Sequence, residues 1–149
     1  MKTILVPLDF SHASEPIMAV VQEVAPSLGA RAVLLHVEPP DPAFVGFEAG
    51  PQHVRDIVAH EAKANHERLH DVQEGLQGGG VDTEVLLIQG PTVEKILSEA
   101  DRLGADMIIM GSHGHGALFD LLVGSVSEGV MRKSSCPVMV VPCRSAGGE

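Results

Sequence analysis

A chain of 149 residues, 44% hydrophobic and 20% charged, suits a single domain (1–149) with a true core and does not suggest disorder. Aromatics make up 3%, with no Trp or Tyr, so the core must be Val, Ile, Leu, Ala and Met, and no aromatic platform exists for stacking single-stranded nucleic acid. Ten Lys plus Arg against 20 Asp plus Glu give a net charge of −10, which repels a phosphate backbone and excludes nucleic acid as the expected partner. A small phosphate ligand stays open, because backbone N–H groups can bind it locally.

The first apolar run, Ile4 to Leu8, is cut short by Asp9, with no cleavage-site pattern behind it, so no signal peptide is expected. No run approaches membrane-spanning length, and no membrane partner is expected. Lys2 to Leu8 reads as the first strand, closed by the polar turn Asp9-Phe10-Ser11. A helix follows from Ser11 or Ser14 to Leu28, with Ser as N-cap, Pro16 in the first turn and Gly29 just past the end. Its apolar face is Ile17, Val20, Val21, Val24 and Leu28. The second strand is Arg31 to Val37, whose continuous apolar run implies burial on both faces.

Glu38 to Gln52 is a Pro/Gly-rich loop, and a long helix runs from about Gln52 to Leu76, stopped by Gly78-Gly79-Gly80. The third strand is Thr83 to Gln89. Gly90-Pro91-Thr92 opens a helix with Val93, Ile96, Leu97, Ala100 and Leu103 on its apolar face, ended by Gly104. The fourth strand, Asp106 to Met110, leads into a glycine loop. Ser125 opens a last helix to about Lys133, and Pro137 to Val141 is the fifth strand. Cys136 and Cys143, at the two ends of that strand, would lie roughly 20 Å apart or more and cannot pair. Reduced thiols in a cytoplasmic protein are the simplest expectation.

Strands alternating with helices imply α/β architecture, a five-stranded parallel sheet covered on both faces by right-handed crossovers, a doubly wound Rossmann-like α/β/α sandwich. Ligands of such folds sit at the carboxyl ends of the strands, at the switch point, which directs attention to Asp9 and Gly111.

The loop reads Gly111-Ser112-His113-Gly114-His115-Gly116, then Gly124-Ser125-Val126-Ser127. Glycines admit close approach of backbone to phosphate, and Ser125 stands at a helix N-terminus, where N–H groups and the dipole favour an anion. Alone, the pattern fits a plain strand-to-helix loop with a capping serine equally well. It is not a Walker loop, since no Gly-Lys-Ser/Thr occurs, and it does not continue as a dinucleotide fingerprint.

The chain resembles the universal stress protein family over essentially its whole length, through ILVPLDFS, LLHV, ADMIIMGSHGHG and LLVGSVSEGVMRKSSCPVMVV. Nucleotide-binding members carry Gly, two residues, Gly, nine residues, Gly-Ser/Thr, a spacing that Gly111, Gly114, Gly124 and Ser125 satisfy. The resemblance implies the adenine nucleotide alpha hydrolase-like variant of the fold. It implies ATP with phosphates on Gly111, Ser112, His113, Gly114, His115, Gly116 and Ala117 and on Ser125, Val126 and Ser127. Adenine and ribose would lie near Pro7, Asp9 and Val37, with Met110 at the foot of the loop. Relatives are often basic where this chain has His115, Phe119 and Asp120. An accompanying divalent cation, Mg or Mn, would supply that charge, but no carboxylate cluster marks a protein site for it.

His66-Glu67-Arg68-Leu69-His70 matches H-E-x-x-H. The helix stripe Val54, Val58, Ala62, Leu69, Val72 and Leu76 places both histidines beside the buried face and Glu67 toward solvent, and no third ligand is evident, so zinc catalysis is not expected. Asp9 reads as a ribose ligand or turn cap, His36 as a buried hydrogen-bonded histidine, Met107 and Met110 as core, and Glu94, Lys95 and Glu99 as a solvated face. The leading expectation is a nucleotide-binding stress or signalling module with slow or no ATP hydrolysis. The rival is a nucleotide-independent homodimeric module. The last strand, apolar and at a sheet edge, makes a homodimer through Val138, Met139, Val140 and Val141 the expected assembly.

Overall fold

The computed structural model describes residues 2–10, 14–38, 52–112 and 123–142. Nine elements follow in order: β1 (Lys2–Pro7), α1 (Ser14–Leu28), β2 (Ala30–Glu38), α2 (Gln52–Gly78), β3 (Thr83–Gln89), α3 (Thr92–Leu103), β4 (Met107–Gly111), α4 (Ser125–Lys133) and β5 (Val138–Val141). The strands form one parallel sheet in the order β3-β2-β1-β4-β5. The chain steps outward from β1 to β3, then crosses back to β4. This reversal puts α1 and α2 on one face and α3 and α4 on the other.

The pleat sorts the core between those faces. Ile4, Val6, Ala32, Leu34 and Ile109 pack with Ile17 and Val21 of α1 and Leu69 and Leu76 of α2. Leu5, Val33, Leu35, Ile108 and Met110 pack with Ile96 and Ala100 of α3 and Val130 of α4. Each fully buried Leu or Ile contributes about 1.5–3 kcal/mol of transfer free energy. Both faces are apolar, so register rests on the backbone ladders and helix packing more than on a choice of face.

The element order and sheet expected from the sequence are present, with small shifts at the ends. β1 stops at Pro7, because Phe10 takes a left-handed φ of 62° and the chain turns; Leu8 keeps one ladder bond to the Leu35 carbonyl at 2.8 Å. β2 gains Ala30 and Glu38, α2 extends to Gly78, β4 is shifted one residue to Met107–Gly111, and β5 starts at Val138. Pro137 has no N–H for the ladder, yet its carbonyl accepts from Ile108 N–H at 2.9 Å. Leu28, expected on the buried face of α1, is 38% exposed, and Ala25 takes the buried position. Glu99 is not simply solvated; it forms an ion pair with Arg102 and is largely shielded. The helix stops behave as expected: Gly29 and Gly104 both have φ 61°, and the Gly104 N–H closes α3 on the Ala100 and Asp101 carbonyls. Ser11, and the side chains of Val54, Val58 and Ala62, lie outside the described residues.

Candidate functional site

The reversal point of the sheet lies between β1 and β4, whose carboxyl ends reach the same edge. Ile4 and Leu5 of β1 pair with Met107 and Ile108 of β4, while Pro7 pairs with Leu35 of β2. Carrying both registers onward sets Asp9 level with Val37 on one side and Ser112 on the other. Val37 and Met110 are buried, Pro7 and Asp9 half-buried, and Gly111 sits at the last position of β4, opposite Val141.

The glycine loop begins and ends on a tight junction. Ser112 N–H donates to the Val141 carbonyl at 2.9 Å, which holds the β4 end against β5. Gly124 N–H donates to the Ser112 carbonyl at 2.6 Å, bringing the start of α4 back to the same place. Gly124 is the N-cap of α4, extended at φ −74° and ψ 165°, with no side-chain cap. Gly124 thus offers no side chain to the first-turn N–H groups of Ser125, Val126 and Ser127, and the positive end of the helix dipole lies beside the sheet edge. Ser125 is exposed, as an anion ligand must be.

Ser127 differs from its neighbour. Its hydroxyl is buried and donates to the Gly111 carbonyl at 2.6 Å, so this side chain fastens α4 to β4 and only its backbone N–H is left for an anion. The conformational expectation for the loop also needs correction at its ends. Neither Gly111 nor Gly124 has a positive φ. His113, Gly114, His115, Gly116 and Ala117, together with Phe119 and Asp120, lie outside the described residues.

The β1 end holds features that sequence reasoning missed. Phe10, with its left-handed backbone, lies against His36 with ring centroids 4.6 Å apart. Nδ1 of His36 is 2.7 Å from the Leu8 carbonyl and donates to it, so this histidine is the buried, satisfied residue expected, and it fixes the turn that carries Asp9. The Arg68 guanidinium sits 5.7 Å over the Phe10 ring. Arg68 also reaches Asn65 at 3.4 Å, and Asn65 donates to Glu38 at 2.9 Å, linking α2 to the ends of both β1 and β2. Nothing in a Phe after Asp9 announces a positive φ, and no local pattern pairs residue 10 with residue 68.

Among the described residues no three His, Cys, Asp or Glu side chains converge on a point that could hold a metal ion. His66 and His70 are exposed, as expected for residues beside the buried stripe. No helix among the described residues is long and apolar enough to cross a membrane.

Residues 1–142 match the model of the universal stress protein family. The chain belongs to the universal stress protein family. It is 34% identical over 142 residues to a universal stress protein of Thermus aquaticus, covering 94% of this chain and 98% of the relative. A solved structure of a universal stress protein of Methanocaldococcus jannaschii aligns with a TM-score of 0.80 at 32% identity, covering 97% of this chain and 98% of that one. A universal stress protein of Archaeoglobus fulgidus, solved in complex with dAMP, aligns with a TM-score of 0.68 at 21% identity, covering 95% and 98%, a likeness of fold. Gly111, Gly124 and Ser125, the described residues of the glycine spacing expected from the sequence, lie at the β4–α4 junction built above.

Proposed function

We propose that this universal stress protein is a small cytoplasmic stress-response or signalling protein that binds an adenine nucleotide, ATP, across the β1–β4 reversal point. The observation that carries the reading is the first turn of α4, whose N-cap is a glycine without a capping side chain, held to the β4 end by Gly124 N–H on the Ser112 carbonyl. The site supplies what a nucleotide needs. Backbone N–H groups of Ser125, Val126 and Ser127 and the loop from Gly111 to Ala117 would receive the phosphates. The Asp9 carboxylate is suited to ribose hydroxyls, and Pro7 and Val37 offer an apolar edge for adenine. A structural neighbour in this family was solved with dAMP, which supports the ligand class.

Mg or Mn would arrive with the phosphates, since the described residues hold no three-ligand cluster for a cation. The reading assigns Asp9 to ribose and no side chain to the part of a general base, so slow ATP turnover or none is the expectation that goes with it. The test is mass spectrometry of small molecules released by denaturing purified protein. An adenine nucleotide in near-stoichiometric amount supports the reading. Protein that carries none and takes up none from millimolar ATP overturns it in favour of a nucleotide-independent homodimeric module.

A further inference from the structure

On the outer side of α2, His66 and His70 stand one turn apart, and their Nε2 atoms are 3.0 Å from each other. Both side chains are exposed, and their rings meet nearly edge-on at 84°. Nδ1 of His70 donates to the Gln73 Oε1 carbonyl oxygen at 3.0 Å. That bond fixes the tautomer of His70 and leaves its Nε2 with a lone pair. In the metal-free chain, then, His66 Nε2–H is the donor to His70 Nε2.

We propose that this pair is a two-imidazole chelate for a divalent transition-metal ion of tetragonal geometry, copper(II) foremost. When the ion binds, the His66 proton moves from Nε2 to Nδ1 by exchange with solvent, and both Nε2 lone pairs reach the metal. No redox change is involved. The separation suits a tetragonal ion once the rings turn their lone pairs to a common point: with metal–nitrogen bonds of about 2.0–2.1 Å, nitrogens about 3.0 Å apart subtend about 90–97° at the ion. Neighbouring positions of a square-planar or tetragonal ion lie near that angle, whereas a tetrahedral zinc ion would need them about 3.4 Å apart. Copper(II) also stands above nickel(II) and zinc(II) in intrinsic affinity for nitrogen donors.

The outer partner is already in place, since ligating imidazoles generally donate their second N–H to a carbonyl or carboxylate, the part Gln73 plays for His70. The described residues bring no third His, Cys, Asp or Glu to the pair, so water fills the other positions. This also separates the site from a protease centre, which requires three protein ligands.

The experiment titrates CuCl2 into purified protein freed of any affinity tag, followed by calorimetry and by electron paramagnetic resonance. The unmodified chain is expected to bind a first equivalent of copper(II) with an axial spectrum showing two equatorial nitrogens. His66→Ala and His70→Ala should each abolish that first equivalent, and His60→Ala, an exposed histidine on the same helix, should leave it intact. Both substituted histidines are exposed, so the variants should melt like the parent. A first equivalent that survives in the double variant His66→Ala/His70→Ala with an unchanged spectrum would assign copper to other histidines and overturn the proposal. So would loss of the site in His60→Ala.

Discussion

The hydroxyl of Ser127 donates to the carbonyl oxygen of Gly111 at 2.6 Å, joining the first turn of α4 to the last residue of β4. This bond spans the two ends of the glycine loop and is partly buried, with Ser127 itself buried. Ser127→Ala removes the donor and leaves the carbonyl short of a partner, an exchange that costs about 1–3 kcal/mol. The urea midpoint should fall while the slope of the transition stays unchanged. A variant as stable as the parent would show that the junction is held by the backbone bonds alone.

Phe10 combines a φ of 62° with packing on His36 and Arg68. The left-handed backbone penalises any Cβ by about 1–2 kcal/mol, a strain glycine does not feel. Phe10→Ala and Phe10→Gly both lose the ring, but only the alanine variant keeps the strain. The usual order should therefore invert, with Phe10→Gly more stable than Phe10→Ala by about 1 kcal/mol. Thermal melts of the pair decide this; alanine ahead of glycine would mean the turn relaxes to negative φ in solution.

ATP should raise the melting temperature by mass action, while duplex or single-stranded DNA at physiological salt should not, given the net charge of −10. Gly114→Val should weaken ATP strongly in calorimetric titration with little change in melting temperature, because a branched side chain would occupy the path by which backbone approaches phosphate. A DNA shift as large as the ATP shift contradicts the charge argument. Unchanged ATP affinity in Gly114→Val moves the phosphate site elsewhere.

What the sequence revealed and what it hid follow from the range of the interactions. The strands were legible because runs such as ILVPL and RAVLLHV are apolar on both faces, and the helix stops because Gly29 and Gly104 are needed at φ 61°. The β4–α4 junction was legible through glycine and serine spacing, which is local. The Phe10–His36–Arg68 stack was not, since it joins residues from three elements that only the folded sheet brings together. The side-chain bond of Ser127 was hidden for a related reason. Spacing places its hydroxyl near the loop, but the Gly111 carbonyl that captures it becomes available only where β4 ends. Strand ends slipped by a residue where a proline without an N–H or a strained turn closes the ladder.

The β5 edge carries the last prediction. β5 pairs with β4 on one side and is the outermost strand, as the element order led one to expect. Val138, Met139 and Val140 are only half-buried within one chain, while Val141 is buried. An apolar, uncharged edge strand is an invitation to pair, and proteins usually cover or blunt such edges. Pro137 and Pro142 bracket the strand and limit how far pairing can spread. Two copies related by a twofold axis can join there in a closed, isologous contact that buries the half-exposed valines of both. The expected solution state is a homodimer of twice the 15.7 kDa chain mass. Val140→Lys places a charge in the centre of that contact and should shift sedimentation toward the monomer mass. Lys at an exposed edge is well tolerated by a single chain, so the variant should still melt cooperatively. Parent protein that already sediments as a monomer at micromolar concentration would show that the edge stays unpaired.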